Sequence, residues 1–592
     1  MRRGSNGSQS RVAASKGVSF SQSPVLALRL PSWRSRFVLF LIFVAFAALA
    51  GRAVWLQGVS TQFLQKQGEI RYARTLELPA TRGKIMDRNG QVLASSLPVK
   101  AIWAIPKDVL TASQDKLQAL ARLLELSDAE LRKKLNGDRT FVYLKRQVEQ
   151  EIVDQVQKLG IAGIHTFKEY KRYYPQGEVA THVVGFTNVE DVGQESMELA
   201  QQKTLVGQTG SRRVIKDRLG RIVEDIGSIK EPHDGKDLTL ALDSKLQYIA
   251  FTQVREAVEK YNASAGGAVI LDVHTGEILA LANWPSYNPN DRRKLTGEQL
   301  RNRVLTDTFE PGSTLKPLTV ALALDNKRVR PETVYDVSGG RIQIGPNVMR
   351  DMHPKEPVLT VAQIIQKSSN VGMAKIALPI PSQEMWEIFT KAGFGQQPKI
   401  GFPGAVAGRV RPYKSWRPIE QANMAIGHGI SVSLIQLARS YMIYARDGDI
   451  IPLSFLKVDE PPQGTRVISP KTAAQMREML ETVVGPGGTA SRAQVPGYRI
   501  GGKTGTAEKL VNGRYSKTNN IASFVGIAPM SKPRFIIAVM VDNPTGALRT
   551  GGSVAAPTAG LLAASALRAA NVPPDSDVTD IIIPANPVEE GI

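Results

Sequence analysis

The stretch Gly497–Thr506, GYRIGGKTGT, admits two incompatible readings. As G-x-x-x-x-G-K-T it spells a phosphate-cradling loop, whereas Lys503-Thr504-Gly505-Thr506 spells a strand that offers an ammonium group and hydroxyls to a carboxylate. The flanking chain decides between them. A phosphate loop needs an apolar strand before its first glycine and a helix beginning at its lysine, whose N-terminus faces the phosphate. Here the preceding residues are ASRAQVP (490–496), and Asn512-Gly513 follows closely enough to cut a helix to a stub. FIIAVMVD, ending at Asp542, resembles the second motif of a nucleotide site but does not supply that context. Tyr498–Ala507 reads instead as one strand of a hairpin leading into SFVGIAPM (523–530).

A strand presenting a lysine needs other parts, and two lie upstream. FEPGSTLKPLTVALAL (309–324) contains Ser313-Thr314-Leu315-Lys316, directly after Pro-Gly. A helix starting at the serine would put positions i and i+3 on one face, bringing the amine beside the hydroxyl. Leu315, Leu318 and Leu322 would bury the other side, with Pro317 tolerated in the first turn. A serine hydroxyl is a poor nucleophile until a neighbour removes its proton, and a lysine can do so only when desolvation or nearby positive charge lowers its pKa. The second part is KSSNVGMAKIAL (367–378), in which Ser368-Ser369-Asn370 follows a helix that Thr360 and Gln363 can cap as a box. Composition alone gives on the order of two S-x-x-K matches in a chain this long and on the order of 0.1 K-T-G matches. The weight therefore rests on the ordered set, in which each motif supplies what the others lack.

Bulk properties narrow the setting. A chain of 592 residues exceeds one ordinary core, and 42% apolar with 22% charged residues is globular. The absence of cysteine excludes disulfides, thiolate zinc sites and a cysteine nucleophile, and the six histidines show no metal-binding spacing. The net charge of +21 invites a nucleic-acid reading until the charge is located. Residues 1–36 hold seven Arg or Lys and no acid, immediately before FVLFLIFVAFAALAG (37–51). Counted to Leu56 the apolar run is about 20 residues, enough to cross a bilayer core as a helix. Arg52 can snorkel to the interface, and Trp55 suits the interfacial belt.

Positive charge before the span places the N-terminus in the cytoplasm and the remainder outside. The competing reading is a cleaved signal peptide ending at Ala48-Leu49-Ala50; the length of the run favours a retained anchor. Either way the bulk is exported, which removes ATP and nucleic acid as natural partners. The remaining cations are read as solvated faces or contacts to anionic lipid and wall polymer.

Along the chain, residues 58–235 alternate strand-like runs with charged helical stretches and assemble no catalytic set. Arg82–Ser96 is a hairpin signal with a two-residue Asn89-Gly90 turn, Lys116–Leu124 carries helical spacing, and Arg212–Asp225 reads as a solvated strand pair. Near 236 the character changes. Asp243 is placed to cap a helix with Leu246, Ile249, Ala250, Val254, Ala257 and Val258 on one face, and GGAVILDVHTGEILALAN (266–283) reads as a buried hairpin. A helical middle, the late strands SFVGIAPM and RFIIAVMVDN (534–543) and a final helix over Ala556–Ala570 predict an α/β unit whose sheet comes from distant parts of the chain. The Pro-rich acidic tail after about 573 reads as disordered.

The parts fit one reaction, acyl transfer through a covalent intermediate. Ser313 attacks a peptide carbonyl with Lys316 as base, Ser368 relays a proton to the departing amine, and Asn370 orients the substrate amide. Lys503 adds positive charge near Lys316 and Ser368, while Thr504 and Thr506, spaced by Gly505, bind a terminal carboxylate.

S-x-x-K, S-x-N and K-T-G in this order resemble the signature of penicillin-recognising serine enzymes. RGKIMDRNGQVLA (82–94), RNRVLTDTFEPGSTLKP (301–317), QKSSNVG (366–372) and GYRIGGKTGTAEK (497–509) together look like class B penicillin-binding proteins, specifically the division-type peptidoglycan D,D-transpeptidases. The similarity runs from the anchor to about residue 570. It implies a cytoplasmic tail (1–36), an anchor (37–57), an α+β pedestal (58–235), an α/β, serine β-lactamase-like transpeptidase domain (236–573) and a flexible tail (574–592). It also implies an acyl-enzyme at Ser313 with loss of D-alanine, oxyanion donors at the amides of Ser313 and Thr506, and no cofactor or metal. The implied partners are stem peptides, β-lactams that acylate Ser313, a separate glycan polymerase and other division proteins. The implied location is the inner membrane, single-pass, with the catalytic domain periplasmic. One departure is GHGISVSLIQLA (427–438), where the family has Thr-Pro in place of Ser433-Leu434.

Two rival functions stay open. Hydrolysis of the same acyl-enzyme would make a D,D-carboxypeptidase or β-lactamase, and a non-catalytic binding module would make a β-lactam sensor or division scaffold. The pedestal and anchor argue against the first, and an intact Ser313 and Lys316 against the second.

Overall fold

The computed structural model describes residues 32–59, 73–137, 139–216, 222–352, 356–511 and 513–577. Among them, one helix is long and apolar enough to cross a membrane, spanning Ser32–Gly58. Its α-helical part, α1 (Ser32–Val54), buries no side chain and covers most of the expected anchor. The described chain forms two compact units, one of residues 1–78 with 210–231 and one of residues 79–209 with 232–592. The first contains a three-stranded antiparallel sheet of Ala73–Leu78, Gly210–Lys216 and Ile222–Lys230, so the charged stretch around 212–225 is a strand pair.

In the second unit, β1 (Ile85–Met86) and β2 (Val92–Ala104) form the expected hairpin. The turn holds three residues, not two. Asp87 N–H donates to Gln91 O, and Gly90 takes φ 85°, the left-handed conformation its missing Cβ permits. The Asp87 carboxylate selects the longer loop by accepting from the N–H groups of Asn89 and Gln91 and, across the chain, of Ser244. The long β2 also pairs with β3 (Val142–Val148) and β4 (Ile164–Tyr173). Three short helices, α2 (Gln114–Leu123), α3 (Asp128–Leu135) and α4 (Gln150–Lys158), contribute Leu120, Leu131 and Val153 to a small core around Ile102 and Leu144.

A second, larger core belongs to a five-stranded antiparallel sheet ordered β6-β5-β9-β8-β7. Its strands are β5 (Ala265–Asp272), β6 (Ile278–Trp284), β7 (Gly501–Val511), β8 (Arg514–Ala528) and β9 (Phe535–Asp542). Every residue of β5 is buried because both faces are covered. Methyls at Gly266 and Gly267 would meet Val258 and Val304 respectively, on opposite faces of the sheet. One face carries α5 (Ser244–Lys260), capped by Asp243 as predicted, with Leu246, Ala250, Val254, Ala257 and Val258 buried and Ile249 partly so.

The long insertion between β6 and β7 carries α6 (Lys316–Asp325), α7 (Val361–Lys367), α8 (Asn370–Ala377), α9 (Ser382–Lys391) and α10 (Leu434–Ser440). The final helix, α11 (Ala556–Ala569), matches its expected bounds to within one residue and packs beside α5 and β9. Ile85, Leu93, Val183 and Leu205 share the large core, so the change of sequence character at 236 is not a boundary in packing.

The tail after 573 is ordered at its start. Asp575 accepts from Arg499 N–H at 2.7 Å and Ser531 Oγ at 2.6 Å, while the N–H groups of Asp575 and Ser576 donate to Gly497 O. One carboxylate with three donors, the Ser531 N–H included, outweighs the polar composition there; residues 578–592 lie outside the described residues.

His182, in the same unit, is buried and donates from Nε2 to Gln299 O at 2.8 Å. Burial pushes its imidazole down to about 4. In the unfolded chain it titrates near 6.5, so below that pH the unfolded state binds the extra proton. Stability is therefore expected to fall as pH drops from about 6.5 to 4, by up to about 1.4 kcal/mol per pH unit from this group. His182→Gln, which keeps a donor, should flatten that part of a melting-temperature profile. An unchanged slope would refute the assignment.

Candidate active site

Three distant segments converge on one oxygen, Ser368 Oγ. Lys316 Nζ donates to Ser368 Oγ at 3.1 Å, to Ser368 O at 2.5 Å and to Asn370 Oδ1 at 2.8 Å. Lys503 Nζ donates to the same Oγ at 3.0 Å. Both lysines are 0% exposed. The two conditions under which a lysine can act as a base, desolvation and a second cationic group nearby, are thus met around Lys316.

Ser313 stands at the head of the helix that buries Lys316. The α-helix does not begin at the serine as expected: Gly312–Leu315 is a 3₁₀ turn, and α6 starts at Lys316. Gly312 at φ 55° turns the chain into it, and a tighter first turn is common at helix starts. A 3₁₀ turn holds three residues, so it too turns positions i and i+3 to one side. From Pro311 to Leu324 every residue is buried except Ser313, which is half-buried. Thr314 fixes the turn, its Oγ1 donating to Pro311 O and its carbonyl accepting from Tyr441 OH at 2.8 Å.

Ser368 caps α7, whose start carries the predicted Thr360–Gln363 box. It adopts φ 62°, ψ 37°, a left-handed conformation uncommon for a residue with a Cβ and held only where its surroundings determine it. Asp351 supplies much of that. Its carboxylate accepts from Ser369 Oγ at 2.7 Å, from Val371 N–H at 3.0 Å and from Asn370 N–H, at the start of α8. Asn370 Nδ2 adds a bond to Arg350 O.

On β7, the edge strand of the sheet, Lys503, Thr504 and Gly505 are buried and Thr506 is half-exposed. The Thr504 hydroxyl lies 2.6 Å from Thr489 Oγ1 and 3.3 Å from Lys503 Nζ. Thr506 Oγ1 accepts from Gly551 N–H. Gly505 is required by proximity: a methyl there would fall 2.8 Å from Pro311 O and 2.7 Å from Ser523 Oγ. That closeness seats the edge strand against the turn bearing Ser313. The phosphate-loop reading fails in the same residues, since Lys503 is in mid-strand and no helix follows it.

Glu310, three residues before Ser313, gathers the rim. It accepts from Gly429 N–H at 2.8 Å and Tyr515 OH at 3.1 Å, and pairs with His428 Nδ1 at 3.0 Å. Burial would raise its carboxyl, but these bonds outweigh it and hold the group below the usual carboxylate range. Where Ser433-Leu434 departs from Thr-Pro, Ser433 and Gln436 form a capping box that starts α10 without a proline.

The structure joins Lys316, Ser368, Asn370 and Lys503 by hydrogen bonds and seats the turn that bears Ser313 against β7 and its Thr504–Thr506. Sequence reasoning missed Asp351, Thr489, Glu310 and Tyr441; none sits in a local motif. Asp351→Ala is expected to slow penicillin acylation about 100-fold by loosening Ser368 and Asn370. It should also lower stability by about 1–3 kcal/mol through the donors left unpaired. Stopped-flow acylation and thermal melting check both, and an unchanged acylation rate would remove Asp351 from the site.

Residues 266–563 match the penicillin-binding protein transpeptidase domain, and residues 77–240 match the penicillin-binding protein dimerisation domain. The chain belongs to the penicillin-binding proteins that carry a transpeptidase domain behind a dimerisation domain. A probable peptidoglycan D,D-transpeptidase PenA of Neisseria gonorrhoeae is 42% identical, covering 92% of this chain and 94% of the relative. The peptidoglycan D,D-transpeptidase FtsI of Escherichia coli is 40% identical, covering 93% and 94%. Among solved structures, the transpeptidase domain of Burkholderia pseudomallei penicillin-binding protein 3 is 49% identical, with TM-score 0.53, covering 57% of this chain and 98% of that one. A peptidoglycan synthetase of Bifidobacterium adolescentis gives TM-score 0.68 at 25% identity, covering 86% and 99%.

Proposed function

We propose that the chain is a membrane-anchored peptidoglycan D,D-transpeptidase that cross-links stem peptides at the division septum and is inhibited by β-lactams. The observation that carries this reading is Ser368 Oγ held between two buried lysines, one of which lies three residues after the half-buried Ser313. Ser313 Oγ attacks the carbonyl of the penultimate D-alanine while Lys316 Nζ takes its proton. The amides of Ser313 and Thr506 receive the oxyanion. Collapse breaks the peptide bond, and the proton passes from Lys316 through Ser368 Oγ to the departing D-alanine amine. An amine of a neighbouring stem then attacks the ester, returns a proton to Ser313 Oγ by the reverse path, and leaves a new amide.

Lys503 and the half-exposed Thr506 hold the donor's terminal carboxylate; the buried Thr504 serves by fixing Lys503, and Asn370 faces the stem amide. The basic residues before the span support a cytoplasmic N-terminus and, beyond the inner membrane, a periplasmic catalytic domain. Residues 58–235 act as pedestal and 236–573 as transpeptidase domain, working beside a separate glycan polymerase and other division proteins.

The test uses the purified full chain in detergent, a donor pentapeptide ending in D-alanyl-D-alanine and an amine acceptor. Mass spectrometry should show the cross-linked dimer accumulating with release of D-alanine. Only tetrapeptide would point to hydrolysis, and no turnover to a binding module; either result overturns the proposal.

A further inference from the structure

A cavity of about 250 Å³ lies between the end of α9, the start of α10 and the segment around Pro452. Ile400, Ile435 and Leu453 give it apolar walls, Arg439 and Lys399 line it with positive charge, and no acidic residue lines it among those described. Arg439 is half-buried, and burial pushes its guanidinium below its ordinary range. Its Nε donates to Ile451 O at 2.8 Å, yet among the described residues it has no carboxylate partner. Gln436, which also lines the cavity, directs its Nε2 to the carbonyls of Gly393, Gln396 and Ala407, at 3.2, 2.9 and 2.8 Å.

A partly desolvated cation without a counter-ion, beside apolar walls and an open volume, suits an anion with an apolar body. The same helix leads to the reaction centre. Two residues beyond Arg439, Tyr441 OH holds the carbonyl of Thr314, the neighbour of Ser313.

We propose that this cavity is an effector site for a small apolar carboxylate, bound by Arg439 with Lys399 at the mouth, and that its occupancy reaches Ser313 through α10 and Tyr441. The test takes the full chain in detergent with benzoate as probe and neutral benzamide as control, reading melting temperature and the rate of fluorescent-penicillin acylation. Benzoate is expected to raise the melting temperature saturably and to change the acylation rate by about fivefold. Benzamide should do neither. Arg439→Gln should abolish both effects, and if it fails to fold, the exposed Lys399→Glu should weaken both.

Four results would overturn the proposal: no saturable effect, equal effects of benzamide, effects unaltered in the variants, or stabilisation without a change in rate. Absence of all penicillin labelling in the unliganded protein would count against the proposed function instead, and the melting shift would then decide the site alone.

Discussion

Ser313→Ala is expected to abolish covalent labelling by penicillin, lowering the acylation rate more than about 10⁴-fold. The expectation follows from where the hydroxyl sits. Around it Thr314, Leu315 and Lys316 are buried and fixed, so the chain offers one accessible oxygen at this turn. Removing it leaves the fold intact: the serine is half-buried, and its turn is held by Thr314 and Tyr441. Intact mass spectrometry after incubation should show the adduct on the wild type alone, with melting temperatures that agree closely. A surviving adduct would displace Ser313 as nucleophile, and slow labelling followed by rapid penicillin release in the wild type would favour the hydrolytic reading.

Lys316→Met should come next, with acylation about 10³–10⁴-fold slower. Methionine follows the path of the lysine stem but cannot accept the Ser313 proton. Its effect on stability combines opposed terms. The variant no longer buries an amine, yet it leaves Ser368 O, Ser368 Oγ and Asn370 Oδ1 without their shared donor. The comparison that matters is Lys503→Met, which removes the other amine from Ser368 Oγ while leaving Lys316 in place. If Lys316 is the base, the Lys316 variant is the slower of the two in saturating penicillin, and the Lys503 variant loses mainly affinity for the substrate carboxylate. The reverse ranking would transfer the role to Lys503.

Periodic and local features were the ones the sequence disclosed. The Asp243 cap, the Thr360–Gln363 box, the buried hairpin of β5 and β6 and the strand at Lys503 depend on residues near one another in the chain. The motifs at Ser313, Ser368 and Lys503 were legible because each packs its chemistry into a few residues. Asp351, Thr489, Glu310 and Tyr441 were not, since each acts across a long separation and means nothing until folding selects its partner. Local competition explains the smaller differences. Asp87 lengthened the Asn89-Gly90 turn by offering its carboxylate to the loop amides, and Asp575 ordered a segment whose composition reads as solvent-loving.

The sheet order also constrains how the molecule is made. β5 emerges early, yet its neighbour on the side away from β6 is β9, near the end of the chain. During synthesis the β5–β6 hairpin must therefore wait with the other edge of β5 unpaired, a state prone to aggregation. The lysine of β7 reaches Ser368 only once the late strands have arrived. A chain stopped before Phe535 would thus carry Ser313, Lys316, Ser368 and Lys503 but lack the strand that joins β8 to β5, and is expected to be inert.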